Sequence, residues 1–101
     1  MKNGLLLVLT EVEGERYDAA IETAATAAAL GRPVALLLRG PAVLQPDKLS
    51  MLKELGANIS ACQTALSRYN LDAGQHLPRD IPASGLMQFM AGRERWQLLL
   101  A

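Results

Sequence analysis

The sequence predicts an α/β fold: a three-layer sandwich whose five-stranded, mostly parallel sheet carries helices on both faces. Two observations predict it. Leu5–Leu9 and Val34–Leu38 are continuous apolar runs with no polar face, as in central parallel strands covered on both sides. Helix-length segments closed by Gly31 and Gly56 separate these runs from each other and from a third, alternating run that leads to Cys62. Strand-helix-strand-helix-strand order, with short links and right-handed crossovers, gives a parallel sheet. At 101 residues the chain is read as one domain, 1–101, with a single core.

After the first strand, Thr10 to Gly14 reads as a polar, acidic loop. Glu15 to Leu30 reads as the first helix, with Glu15 and Asp18 near its positive N-terminus and Gly31 as its stop. Tyr17, Ile21, Ala24 and Ala28 mark one face, and the Ala-rich second half is small enough to lie close to a neighbour. Pro33 suits the start of the second strand, and Gly40-Pro41 a loop. Pro46 and Asp47 are expected to open a second helix with a stripe of Leu49, Leu52 and Leu55. Ala57, Ile59 and Ala61 alternate with Asn58 and Ser60, a short strand. A third helix follows, with Thr64 as its cap and Asn70 as a left-handed stop. Residues 71–80 read as an irregular polar link and Ile81-Pro82-Ala83 as a short strand weakened by its proline. Gly85 to Arg93 reads as a fourth helix with Leu86, Phe89 and Met90 inward, and Trp96 to Leu100 as the fifth strand.

Ten basic residues balance ten acidic ones, so charge gives no case for nucleic acid or an anionic membrane surface. The first apolar run is too short to span a membrane, and no leader cleavage site follows it, so a cytoplasmic protein is expected. One cysteine excludes an internal disulfide and a zinc site built on several thiolates, and His76 has no partner at metal-ligand spacing; neither metal nor cofactor is expected. Neither a P-loop nor a G-x-G-x-x-G turn occurs. No nucleophile elbow occurs either.

The remaining candidate is Cys62. It is expected at the carboxyl end of the third strand and just before a helix, where open α/β sheets collect ligands and chemistry and where a helix start favours thiolate over thiol. A free cysteine is equally able to pack as a small hydrophobe. A Cys62–His76 pair can be drawn across the fold, although a lone loop histidine is commonly just solvated. Glu11, Glu13 and Glu15 would share the carboxyl edge; close to a thiolate they would oppose its ionisation, and they are read as solvated.

An apolar first strand, an Ala-rich first helix ending at Gly31, and the segment Ala61-Cys62-Gln63-Thr64-Ala65-Leu66-Ser67-Arg68 after a third strand together resemble the DsrE/DsrF-like sulfur-relay proteins, which include the TusD-type subunits. The resemblance spans nearly the whole chain, and the cysteine segment is its specific part. It implies a DsrEFH-like sandwich of flavodoxin-like topology that assembles into homo-oligomers, trimers or hexamers. It further implies that Cys62 accepts a persulfide sulfur from a donor protein and passes it to an acceptor, a sulfurtransferase-like carrier. Asn70 stands where relatives often have glycine, and the loop Thr10–Gly14 lacks their aromatic and proline content.

Two functional readings follow. In one, Cys62 is the carrier of a sulfur relay; in the other, the chain is a non-catalytic oligomeric interaction module and the cysteine is incidental. Either reading is compatible with self-association, because half the residues are hydrophobic and only 4% aromatic, so the leucines must be covered internally or by a second copy. The Ala-rich helix and Leu86–Met90 are the candidate contact surfaces.

Overall fold

The computed structural model describes residues 3–101. The side chain of Asp47 falls outside that description, and with it the helix-start role expected of its carboxylate; so do Met1 and Lys2. Five strands, β1 (Leu5–Leu9), β2 (Val34–Leu38), β3 (Asn58–Cys62), β4 (Ala83–Ser84) and β5 (Gln97–Leu100), form one sheet in the order β4-β3-β2-β1-β5. Every pairing is parallel. The α/β class read from the two leucine runs is therefore what the chain adopts, with both runs buried at all five positions.

Five α-helices connect the strands: α1 (Glu15–Ala29), α2 (Ser50–Glu54), α3 (Gln63–Arg68), α4 (Ala73–His76) and α5 (Leu86–Met90). The steps β1 to β2, β2 to β3 and β3 to β4 all run the same way across the sheet, so right-handed crossovers place α1–α4 on one face. The step from β4 to β5 returns across the sheet and places α5 on the other. On the first face, the registers Leu7↔Leu36↔Ile59 and Leu9↔Leu38↔Ala61 line up side chains beneath α1. α1 meets them with Tyr17, Ala20, Ala24 and Ala27. Small helix residues over leucine-rich strands let the helix approach closely while the leucines supply the buried area, about 1.5–3 kcal/mol for each one fully removed from water. Leu6, Val8, Ala35 and Leu37 alternate onto the second face and are buried as well.

The return connection covers the central strands on the second face and leaves β5 exposed there, with Leu98 and Leu100 open to solvent. Trp96 lies against Gly4, where any Cβ would collide with the indole. The Arg93 guanidinium sits over both the Phe89 ring, at 5.1 Å, and the Trp96 ring, at 5.4 Å, and Arg93 Nη1 donates to the Phe89 carbonyl at 2.6 Å. At the amino ends of β1 and β5, Arg32 donates to the carbonyls of Asn3 (2.9 Å) and Gly4 (3.3 Å) and to Gln97 Oε1 (3.0 Å).

Several expectations are corrected. The second helix does not begin at Pro46: Gly40–Leu44 and Pro46–Leu49 are 3-10 turns, and α-helical geometry starts only at Ser50. Pro41 and Pro46 pre-set φ for a turn but lack the N–H that would continue an α-helix into them. The third helix is capped at Cys62 rather than Thr64. Residues 71–80 are not wholly irregular, because the Asp72 carboxylate accepts from the Gly74 N–H at 2.9 Å and starts α4. β4 lies at Ala83–Ser84; Ile81 and Pro82 precede it, and the Pro82 carbonyl accepts from the Ala61 N–H at 2.9 Å. In α5 only Phe89 is fully buried, Met90 is half-buried and Leu86 is exposed, contrary to its expected inward position. Gly31 and Asn70 adopt the left-handed φ that their helix ends require, +83° and +56°.

Candidate functional site

Cys62 is both the last residue of β3 and the N-cap of α3, with φ −66° and ψ 121°. The alternating Ala57–Ala61 pattern ends where the helix-compatible Gln63–Arg68 begins, so the chain turns from one geometry to the other on this residue. In register, Cys62 pairs with Ser84, the last residue of β4. Beyond that pair the chain diverges, from Cys62 into α3 on the first face and from Ser84, through Gly85, into α5 on the second. This is the topological switch point of the sheet, the place where open α/β sheets commonly bind ligands.

Two further side chains share the edge. Leu38 pairs with Ala61, so Arg39, one residue on, stands beside Cys62 along the carboxyl edge, and its side chain is exposed. Its own N–H is fixed by the Leu9 carbonyl at 2.8 Å. Ser84 is buried and its hydroxyl donates to the Gly85 carbonyl at 3.0 Å. The sequence pattern does not announce Ser84, because Ile81-Pro82-Ala83 reads as a strand that stops one residue earlier.

The thiol itself is closed off. Cys62 is 3% exposed and belongs to the core cluster with Leu66, Ile81 and Phe89. Partial exposure, on which fast alkylation depends, is therefore absent in the closed fold. Chemistry at this sulfur requires the switch-point edge to open.

The other sequence candidates are placed elsewhere. His76 ends α4, and its Nε2 lies 2.6 Å from the Val43 carbonyl, a contact made by the Nε2–H tautomer. It is thus a half-buried strut between α4 and the turn before α2, and no hydrogen bond joins it to Cys62 among the described residues. Glu11 and Glu13 are exposed at the end of β1, two strands from β3, about 10 Å at ordinary strand spacing. Their loop is tied down by Lys48, whose ammonium donates to the Val12 carbonyl at 2.7 Å and lies 4.5 Å from the centre of the Tyr17 ring. Burial, with the Asp18 carboxylate adding to it, raises the pKa of that Tyr17 hydroxyl above its ordinary 10.0. Among the described residues no group of three or more His, Cys, Asp or Glu side chains is placed to hold a metal, and no helix is long and apolar enough to cross a membrane.

A groove of about 620 Å³ lies away from this edge. It lies beside Ala57 and Ile81, at the amino ends of β3 and β4, and is rimmed by Ser50, Lys53, Glu54 and Asp80. Its Ala57 wall lies five residues, about 17 Å, from Cys62 along β3, and its Ile81 wall three residues before Ser84. Comparison with protein-family models finds none that matches the chain, and comparison with curated proteins finds no match either.

Proposed function

We propose that this protein is a sulfur carrier of the DsrE/DsrF-like, TusD-type relay, holding a persulfide on Cys62 between a donor and an acceptor protein. The observation that carries the reading is the position of Cys62 at the switch point, paired with Ser84 where α3 and α5 part. The likeness of Ala61–Arg68 to the relay segment supports it. In the first step the deprotonated Cys62 sulfur attacks the outer sulfur of the donor's persulfide. The donor's inner S–S bond breaks, its thiolate leaves, and Cys62 gains one sulfur. In the second, an acceptor thiolate attacks that outer sulfur and releases Cys62. Each step exchanges one S–S bond for another, so no external oxidant or reductant is consumed. With one cysteine per chain, both transfers are between proteins. A cytoplasmic setting, which keeps thiols reduced, belongs to this reading.

The test is intact-protein mass after incubation with a small-molecule persulfide under native conditions. The expected result is a gain of one sulfur that is lost on adding a thiol acceptor and absent in Cys62→Ser. Serine is a conservative probe here, since at an N-cap its oxygen can accept a backbone N–H. Burial of Cys62 to 3% exposure favours the second reading, an oligomeric interaction module. Loading seen only in denaturant would reject the carrier reading in favour of that alternative.

A further inference from the structure

We propose that β5 is a dimerisation edge whose occupant is β5 of a second copy, paired antiparallel about a two-fold axis perpendicular to the sheet. The inference is independent of what Cys62 does. β1 takes the inner side of β5, and no strand among the described residues takes its outer side. The inner hydrogen bonds decide which backbone groups remain. Gln97 donates to the Gly4 carbonyl and Ala101 to the Val8 carbonyl, each at 2.9 Å. Odd-numbered amides here therefore point at β1, and by alternation those of Leu98 and Leu100 point outward.

The same two residues expose their side chains, Leu98 at 47% and Leu100 at 71%, on the face opposite α1. Gln97–Leu100 carries no charge, proline or bulge of the kind that keeps an edge strand single. In an antiparallel ladder only outward-pointing residues can form hydrogen-bonded pairs. Leu98 then faces Leu100 of the second copy, Leu100 faces its Leu98, and Leu99 lies on the axis. This register joins four exposed leucines into one strip.

Charge on α1 supplies a separate argument. Two grooves flank the side of α1 toward β5, one lined by Glu22 and Thr26, the other by Arg16 and Leu99, with Ala19 and Thr23 lining both. Arg16 and Glu22 are exposed and stand three positions on either side of Ala19. The axis that pairs the β5 strands sets the two α1 helices antiparallel on one face; α1 packs on β1 and β2, so at least three strand spacings, about 14 Å, separate them. With Ala19 level with the axis, exposed Arg16 stands opposite Glu22 of the second copy and Glu22 opposite its Arg16, both long enough to reach across that gap. One symmetry operation thus satisfies the backbone edge, the leucines and the charges, the self-complementarity that a two-fold interface demands.

The test is sedimentation of the intact chain across a concentration series, expected to give the mass of two chains. Leu100→Pro removes an outward amide without cutting the β1 ladder and is expected to give a monomer whose Trp96 emission matches wild type. Arg16→Glu and Glu22→Arg are each expected to raise the dissociation constant at least about tenfold, and the double swap to return it toward wild type. A hexamer that Leu100→Pro splits into trimers also supports the proposal. A wild-type monomer at the highest soluble concentration overturns it. So does a wild-type trimer, which contains no two-fold axis, or an assembly unaffected by Leu100→Pro, which puts the interface or another occupant elsewhere. Failure of the charge swap to recover association removes the contact between the α1 helices.

Discussion

Gly4→Ala tests how the edge strand is held. Gly4 is buried at the start of β1, outside the left-handed region of φ, so alanine suits the backbone there. The obstacle is steric, because an added Cβ would lie within the van der Waals radius of the Trp96 indole. The ring has little room to retreat. Arg93 lies over it at 5.4 Å, the backbone N–H of Trp96 donates to the Arg93 carbonyl at 3.0 Å, and the backbone N–H of Gln97 donates to the Gly4 carbonyl at 2.9 Å. Overpacking of this kind costs about 1–3 kcal/mol, while the reduced freedom of the unfolded chain returns about 0.4–1 kcal/mol. The net loss is up to about 2.6 kcal/mol, with a midpoint of about 1.3 kcal/mol that lowers Tm by roughly 5–10 °C for a domain of this size. Trp96 is the only tryptophan, so its emission reports the displaced ring directly during the same melt. In a Trp96→Leu background the collision is gone, and Gly4→Ala is expected to be neutral or mildly stabilising. An equal cost in both backgrounds, or an unchanged emission maximum in the single variant, would refute the reasoning.

Leu37→Ala, at a fully buried position on the second face, should cost about 2–5 kcal/mol, read as a lower urea midpoint at constant slope. A loss under about 1 kcal/mol would mean that the return connection through α5 does not pack that face. Tyr17 predicts alkaline behaviour: its folded pKa is raised, so its contribution is complete below about pH 10 and is lost as pH rises through the higher folded value. The urea midpoint of wild type should therefore fall more steeply above about pH 10 than that of Tyr17→Phe, and parallel curves would sink the assignment.

What the sequence by itself determined is the layered plan. Two uninterrupted leucine and valine runs can be covered only from both sides, and glycine after an Ala-rich helix admits only a left-handed stop, so β1, α1 and β2 are legible within a residue. Cys62 at the end of β3 is legible for the same reason, since alternation stops where helix-compatible sequence starts. Short elements were not legible. The turns around Pro41 and Pro46, the Asp72-capped α4 and the two-residue β4 are too brief for periodicity to register; the turns and α4 close on local hydrogen bonds, and the β4 segment is held where the Ala61 N–H donates to the Pro82 carbonyl. Only the tertiary structure decided that Cys62 is buried, that Ser84 stands beside it and that His76 is spent on Val43. It decided equally that Leu98 and Leu100 stay exposed. Both are apolar residues in an ordinary strand pattern, and their exposure follows from strand order, which places β5 at the rim of the sheet with one side of its backbone unpaired.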